Sequence, residues 1–326
     1  MRLCIIGAGA IGVFLAARLA KSGHEIAVVA RGERAAAIRS KGIILTCADG
    51  DPIRERPHVA ERGEELGPQD YVLVTVKGYS VPETTDTMRC LVGTPETRAA
   101  TQVVFVQNGL PWWYFAGERS SAGEMLDPGG RLAAAIPGDR TIGCVTYANV
   151  RNSGLGEAHH VSDSTFVLGR PDGREDGVLA QLSAAMIDAG IDGRVTRDIR
   201  KEVWTKLWGN LAFNPISALT GAAMDEIITS AETRPLVMAM MAEAQAVAER
   251  TGVRFDLTVE ERLTKAALAG AFRTSMLQDL EAGRRLEIDA IIGAVAALSR
   301  DLGVATPAID TVLGLIRQKA KMLRLA

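Results

Sequence analysis

One helical segment of this 326-residue chain carries three polar side chains on a single face. Lys206, Asn210 and Asn214 recur at intervals of four residues within the largely apolar stretch from Val203 to Pro215. A buried lysine without partners has a lowered pKa and can protonate the alkoxide that forms when hydride attacks a ketone. The two amides would then hold a substrate hydroxyl or carboxylate. A solvated lysine with two asparagines that cap backbone groups is the alternative interpretation.

A glycine-rich turn near the amino terminus predicts the site of a hydride donor. Gly7, Gly9 and Gly12 follow an apolar strand over residues 3–6 and precede a helix over about 11–22 and a second strand over 26–30. The first glycine permits a tight turn, the second lets backbone N–H groups approach a pyrophosphate, and the third lets the helix pack closely on the strand. A cleaved signal peptide is disfavoured because the glycines occupy these positions and a second strand follows. The predicted dinucleotide-binding residues are Gly7, Ala8, Gly9, Ala10, Ile11 and Gly12.

The residue after the second strand indicates which dinucleotide binds. An Asp or Glu usually holds the unmodified ribose of NAD at this position, whereas this chain has Arg31. A guanidinium can bind a 2′-phosphate through two parallel hydrogen bonds, and Arg34 could assist. NADPH is therefore favoured over NADH, with a solvated surface arginine as the alternative interpretation.

Strands that alternate with helical or polar segments predict a doubly wound parallel sheet in the first half of the chain. Further strands are expected over residues 71–76, 103–106 and 141–147, and two of them are continuously apolar, as in strands that are covered on both faces. The stretch 156–168 is expected to add an antiparallel strand. Between residues 110 and 140 lies a long irregular stretch that contains Trp112 and Trp113. This stretch is interpreted as a lid, a surface insertion or a patch that contacts a partner subunit.

After Asp198 the apolar residues follow helical spacing only. We expect an α/β Rossmann-type dinucleotide-binding domain over residues 1–197 and an all-α catalytic domain over 198–326, with the active site in the cleft between them. Pro215 is expected to end or kink its helix. The predicted helices span residues 199–213, 233–251, 259–272, 287–302 and 308–323.

Composition and charge exclude several classes of protein. With 47% hydrophobic residues, 23% charged residues and a net charge of −2, the chain has no electrostatic basis for binding nucleic acid or an anionic membrane. Its four cysteines are far apart and include no Cys-x-x-Cys pair, which argues against a metal site or a disulfide framework. We expect a cytoplasmic protein with a small-molecule substrate, without a membrane span and with a homodimer as one option.

The chain resembles the ketopantoate reductase family over nearly its whole length. Five blocks match in order, and the last two together are distinctive. They are Gly7-x-Gly9-x-x-Gly12, Val74-Thr-Val-Lys77, Gln107-Asn108-Gly109, Lys206-x-x-x-Asn210-x-x-x-Asn214-Pro215, and Ser275-Met-Leu-Gln-Asp279 followed by Glu287-Ile-Asp289.

The resemblance implies that NADPH reduces a 2-keto acid to its 2-hydroxy acid, with ketopantoate as the first candidate. It also implies roles for individual residues. Lys206 would be the proton donor, Asn210 and Asn214 would contact substrate, and Ser275 would bind the substrate carboxylate. Residues matched to the cofactor site are Lys77, Asn108, Ala148 and Glu287, and Asn108 is also placed at the substrate.

Spacing alone leaves simpler interpretations open for three of these residues. Asn108 and Gly109 follow a strand and can form an ordinary turn. Glu287 begins a predicted helix and can complement its dipole, and Ser275 can be a helix N-cap.

Two positions depart from the pattern of ketopantoate-specific members. Phe272 lies three residues before Ser275, where an asparagine is common, and Met224 lies where another substrate contact is expected. Losing two amides removes hydrogen bonds to a polar substrate, at about 1–3 kcal/mol for an unpaired buried group. A paralogue that reduces a different 2-keto acid, or an opine-type dehydrogenase, is therefore the second hypothesis. A non-catalytic protein that senses NADPH is the third.

Overall fold

The computed structural model describes residues 1–48, 50–92, 101–268 and 270–325. These residues divide into two compact units. The first unit comprises Met1–Gln107 and Gly130–Ile199, and the second comprises Asn108–Gly129 and the chain from Arg200 onward. The predicted α/β domain and the helical C-terminal region are confirmed. The units do not follow a single boundary after residue 197, because Asn108–Gly129 packs on helices of the C-terminal region.

A twisted eight-stranded sheet organises the first unit, in the order β12-β11-β8-β7-β6-β1-β2-β5. Strands β8 and β11 pair antiparallel, and the other described neighbours in this sheet run parallel. Every residue of β6 and β7 is buried, which explains why these strands read as continuous apolar runs. The strands are β1 (Arg2–Ile6), β2 (Glu25–Val29), β3 (Ile43–Cys47), β4 (Ile53–Glu55), β5 (His58–Ala60), β6 (Tyr71–Val74), β7 (Gln102–Val106), β8 (Thr141–Thr146), β9 (Asn149–Gly154), β10 (Glu157–Ser162), β11 (Thr165–Gly169) and β12 (Asp192–Val195).

A second sheet of four strands, in the order β4-β3-β10-β9, was not expected from the sequence. The stretch 156–168 is therefore not one antiparallel addition, because β10 joins this second sheet while β11 joins the first. Strand β9 (Asn-Val-Arg-Asn-Ser-Gly) is largely polar and half-exposed, so it lacks the apolar alternation that identifies a strand.

The helices of both units follow one another along the chain. They are α1 (Ala10–Lys21), α2 (Gly32–Lys41), α3 (Thr85–Val92), α4 (Ser121–Leu126), α5 (Arg131–Ala135), α6 (Gly177–Asp188), α7 (Ile199–Thr220), α8 (Met224–Thr229), α9 (Arg234–Arg250), α10 (Val259–Ala267), α11 (Ser275–Glu281), α12 (Ala294–Asp301) and α13 (Pro307–Met322). A π-helical turn over Asp289–Gly293 leads directly into α12. Among the described residues, no helix is both long enough and apolar enough to cross a bilayer.

The second unit differs from the sequence-based expectation at two helix ends. Helix α7 does not end at Pro215 but continues to Thr220. Its residues from Leu211 to Ala218 are buried, so tertiary packing outweighs the lost backbone hydrogen bond of the proline. Helix α10 ends at Ala267, five residues earlier than its apolar spacing indicated, and Gly270 beyond it has a φ of +60°.

The stretch over residues 110–140 is not irregular. It contains α4, α5 and a short 3-10 turn over Trp112–Phe115, which we call the aromatic turn. The four side chains of the aromatic turn are between 2% and 4% exposed. These aromatics are therefore core residues and form no exposed patch for a partner subunit.

Candidate active site

The glycine-rich turn between β1 and α1 needs two of its glycines for the fold itself. Gly7 has a φ of +100°, and a Cβ atom there would lie 2.6 Å from Cγ1 of Val76. A Cβ atom on Gly12 would lie 1.9 Å from the carbonyl oxygen of Gly7. Both positions therefore exclude a side chain, because the backbone turns sharply and the helix packs closely on it.

Gly9 has no such structural requirement. Its φ of −77° is accessible to any residue, and a Cβ atom there would meet nothing within 4 Å. As the N-cap of α1 it offers no side-chain oxygen, and the first turn of the helix contains no acidic residue. No side chain therefore caps the N–H groups of the first turn, which lie at the positive end of the helix dipole, and these residues fit a pyrophosphate.

Two arginines differ in their surroundings after β2. Arg31 is exposed at the N-cap of α2, and no carboxylate in the described part of the chain forms an ion pair with it. Arg34 donates from Nη1 to the carbonyl oxygen of Ala8 at 2.5 Å. Arg34 therefore secures the glycine-rich turn, a contact that sequence spacing did not indicate. The exposed guanidinium of Arg31 is a group that could hold a 2′-phosphate.

Further predicted cofactor residues of the first unit lie at the same edge of the sheet. Lys77 follows β6 and precedes a 3-10 turn, and Ala148 follows β8. Because β1, β2, β6 and β8 run parallel, their carboxyl ends meet at the edge that carries Gly7 and Arg31. The N–H of Ala148 donates to Oγ1 of Thr146 at 3.2 Å, so this N–H is already engaged within the protein.

In the second unit, Lys206 is bound to a residue that lies 98 positions earlier in the sequence. Its Nζ donates to Oδ1 of Asn108 at 2.5 Å, and the pair is partly buried. The lysine therefore does not simply extend into solvent. Asn108 likewise does more than form a turn, because its side chain orients the ammonium group.

Gly109 explains how Asn108 is held. Its φ is +83°, and a Cβ atom would lie 2.2 Å from the carbonyl oxygen of Ala290. The next residue, Leu110, donates its N–H to that same carbonyl at 2.8 Å. The backbone after Asn108 thus packs directly against the π-helical turn and is hydrogen-bonded to it. Only a glycine at position 109 allows this close contact.

The other two residues of the polar face lie further along α7. Asn210 is half-buried, whereas Asn214 is 3% exposed. Nδ2 of Asn214 is buried and has no hydrogen-bond partner in the described structure. An unpaired buried donor costs about 1–3 kcal/mol, so this amide is suited to a ligand oxygen and does not cap the backbone.

The structure tests the interpretation of Ser275 as a helix N-cap. The N-cap of α11 is Thr274, whose Oγ1 accepts the N–H of Leu277 at 3.3 Å. Ser275 is the first helical residue and is half-buried, so the N-cap interpretation of Ser275 is wrong. Glu287, just before the π-helical turn, is 6% exposed.

The two departures from the family pattern are neighbours in space. The N–H of Met224 donates to the carbonyl oxygen of Phe272 at 3.0 Å, and both residues are half-buried. The two positions at which the sequence departs from the expected pattern therefore lie in one local patch.

Thiol and metal chemistry have little support in this structure. All four cysteines are free, and burial raises the pKa of Cys4 to about 12, so that this thiol is not a nucleophile at neutral pH. Within the described ranges, no group of three or more His, Cys, Asp or Glu side chains is arranged to hold a metal ion.

The fold and the site are those of a dinucleotide-dependent oxidoreductase with a helical C-terminal region. The family model described as "Ketopantoate reductase PanE/ApbA" matches residues 3–173, and the one described as "Ketopantoate reductase PanE/ApbA C terminal" matches residues 198–320. The chain therefore belongs to the ketopantoate reductase family, whose members are NAD(P)-dependent oxidoreductases that reduce ketopantoate.

Individual relatives agree with this assignment. A 2-dehydropantoate 2-reductase of Mesorhizobium japonicum is 43% identical over 325 residues, which covers 98% of both chains. A solved structure from Ralstonia solanacearum MolK2 superposes with a TM-score of 0.92 at 37% identity, covering 100% of this chain and 99% of the other. The 2-dehydropantoate 2-reductase of Methylococcus capsulatus superposes with a TM-score of 0.84 at 29% identity, again covering 100% and 99%.

Proposed function

We propose that this protein uses NADPH to reduce 2-dehydropantoate (ketopantoate) to pantoate. The contact between Nζ of Lys206 and Oδ1 of Asn108, at 2.5 Å, carries the proposal because it holds a proton donor in a fixed orientation. The unpaired amide of Asn214 on the same helix supplies a donor for a polar substrate. The 43% identity to a 2-dehydropantoate 2-reductase supports the choice of substrate.

The protein's own residues orient the substrate and supply the proton. The nicotinamide, when bound, would supply a hydride to the keto carbon. Lys206 in its ammonium form gives one N–H proton to the keto oxygen, while Asn108 accepts another N–H and fixes the direction of Nζ. Asn210, Asn214 and the hydroxyl of Ser275 bind the carboxylate and hydroxyl oxygens of the keto acid. We place Lys77 and Asn108 at the nicotinamide end of the cofactor and Glu287 at a ribose hydroxyl. Ala148 would contact the cofactor through its backbone.

The cofactor proposal rests on the sheet edge of the first unit. The turn from Gly7 to Gly12 would hold the pyrophosphate, with Gly9 leaving room for it. Arg31 would hold the 2′-phosphate of NADPH, because no carboxylate stands where NAD-binding proteins place one.

Replacing Arg31 with alanine should therefore reduce selectivity for NADPH. We expect the KM for NADPH to rise about 10- to 100-fold, because one or two charge-assisted hydrogen bonds are lost. The KM for NADH should change less than about twofold, since NADH has no 2′-phosphate. Steady-state kinetics with both dinucleotides measure this change. Equal effects on both would contradict the assignment of Arg31.

The reaction itself is tested by NADPH oxidation against ketopantoate and several unrelated 2-keto acids, with NADH in parallel. Turnover of ketopantoate with the highest kcat/KM supports the proposal. Nucleotide binding without turnover of any keto acid would instead indicate a protein that senses NADPH.

The apolar pair of Met224 and Phe272 favours a second candidate, a reductase of a 2-keto acid with an apolar side chain. Trimethylpyruvate is the matched probe, because it differs from ketopantoate only in lacking the terminal hydroxyl. Replacing Phe272 with asparagine should raise the ratio of kcat/KM for ketopantoate over trimethylpyruvate about tenfold, the effect of one hydrogen bond. An unchanged ratio would show that position 272 does not contact the substrate side chain.

Location and assembly complete the proposal. Four free and separated cysteines are compatible with a reducing compartment, and we propose the cytoplasm. A homodimer stays a prediction.

A further inference from the structure

The aromatic turn connects three elements of the second unit through one chain of hydrogen bonds. Nε1 of the fully buried Trp204 donates to the hydroxyl oxygen of Tyr114 at 2.9 Å. The Tyr114 hydroxyl donates to Oγ1 of Thr251 at 3.0 Å, and Thr251 donates to the carbonyl oxygen of Ala248 at 2.7 Å. Each hydroxyl accepts one hydrogen bond and donates one, so the direction of the chain is defined from α7 to the end of α9.

Arg200 holds the same tyrosine from the first turn of α7. Its guanidinium carbon lies 4.4 Å from the centre of the Tyr114 ring, and its Nη1 donates to the Tyr114 carbonyl oxygen at 3.0 Å. Tyr114 is 3% exposed, so its ring, hydroxyl and backbone are all bound within the protein. Arg200 and Trp204 are one turn apart on α7, so both contact Tyr114 from the same face of the helix.

The contacts of Tyr114 join the helix that carries Lys206 to the segment that carries Asn108. Lys206 is two residues beyond Trp204 on α7. Asn108 is six residues before Tyr114, at the start of the segment 108–115, which ends in the aromatic turn. The amino-terminal part of that segment is seated on Ala290 through Leu110. The segment that carries Asn108 is therefore attached at one end to the π-helical turn and at the other to the helix of Lys206.

We propose that Tyr114 is a positioning residue, which holds the Asn108 segment on α7 so that Oδ1 of Asn108 meets Nζ of Lys206. This inference rests on the proposed function of Lys206 as proton donor. A displacement of a catalytic group by about 1 Å can cost 100-fold in rate, so a single remote hydroxyl can have a large kinetic effect. The tyrosine touches neither substrate nor cofactor in this proposal.

Replacing Tyr114 with phenylalanine tests the inference, because it removes only the hydroxyl. We expect kcat to fall roughly 10- to 100-fold, while the KM for the keto acid and the Kd for NADPH change less than about threefold. The matched control is Tyr71→Phe in the first unit, where a buried hydroxyl also donates at 2.8 Å, to the carbonyl oxygen of Val178. That variant loses a comparable hydrogen bond and should keep its kcat.

A double-mutant cycle separates positioning from a general loss of stability. If Tyr114 acts by positioning Asn108, then Tyr114→Phe should lower kcat by less than about twofold in a protein that already carries Asn108→Ala. If the double variant lost kcat by the product of the two single-variant losses, the inference would be overturned. A wild-type kcat in Tyr114→Phe would also overturn it.

A readout independent of activity distinguishes this inference from the proposed function. Amide hydrogen exchange over residues 108–115 should become faster in Tyr114→Phe and stay unchanged in Tyr71→Phe. Unchanged exchange in Tyr114→Phe would overturn the positioning role whatever the kinetics show. Turnover that survives Lys206→Ala would instead overturn the proposed function, even where exchange in Tyr114→Phe is faster.

Discussion

Lys206→Ala should reduce kcat by about 10²- to 10⁴-fold, the usual contribution of a general acid. The lysine is the group that can give a proton to the keto oxygen, and its Nζ is already oriented by Asn108 at 2.5 Å. The Kd for NADPH should change less than about threefold, because the proposed phosphate contacts lie in the first unit. Single-turnover oxidation of bound NADPH and a separate fluorescence titration measure the two quantities.

Lys201→Ala is the matched control for this variant. Lys201 lies on the same helix, less than two turns before Lys206, and forms an ion pair with the exposed Asp256 at 2.7 Å. Exposed ion pairs contribute about 0–1 kcal/mol, so removing this lysine should leave kcat within about twofold. If Lys206→Ala kept wild-type turnover, the assignment of the acid would be wrong.

Gly9→Ala should weaken NADPH binding by about 100-fold while the folded protein remains stable. The added methyl group meets no protein atom within 4 Å, but it occupies the space in front of α1 that a pyrophosphate needs. Losing two backbone hydrogen bonds to a charged group is worth about 3 kcal/mol, which corresponds to this factor. The change at the N-cap should cost at most about 1 kcal/mol in the free energy of unfolding. Titration with NADPH and urea unfolding measure the two effects.

The same substitution at two other glycines makes the test specific. Gly12→Ala should lower the free energy of unfolding by about 1–3 kcal/mol or more, because its Cβ would lie 1.9 Å from the carbonyl oxygen of Gly7. Gly177→Ala, at the start of α6, also meets nothing within 4 Å and should change neither stability nor NADPH binding by much. If Gly9→Ala bound NADPH as tightly as the wild type, the pyrophosphate would not lie at this turn.

Local patterns predicted the main parallel sheet and the helical C-terminal region, but they did not predict the second sheet of four strands. Continuous apolar runs identified β6 and β7, and helical spacing identified the long helices of the second unit, because burial of a strand or a helix face repeats with a fixed period. The patterns failed where the period was absent, as in the polar strand β9, and where tertiary packing outweighed propensity, as at Pro215 within α7.

For the candidate site, residue types and spacing were enough to single out the glycine-rich turn, Arg31 and the polar face of α7. They were sufficient because a fingerprint turn and one helix face are each contained in a few consecutive residues. Tertiary structure alone identified Asn108 as the partner of Lys206, the unpaired amide of Asn214 and the grip of α7 on Tyr114. The contacts of Lys206 and Tyr114 join residues that are far apart in the chain. Only the packing of the folded core determines which distant groups meet and which amide stays unpaired.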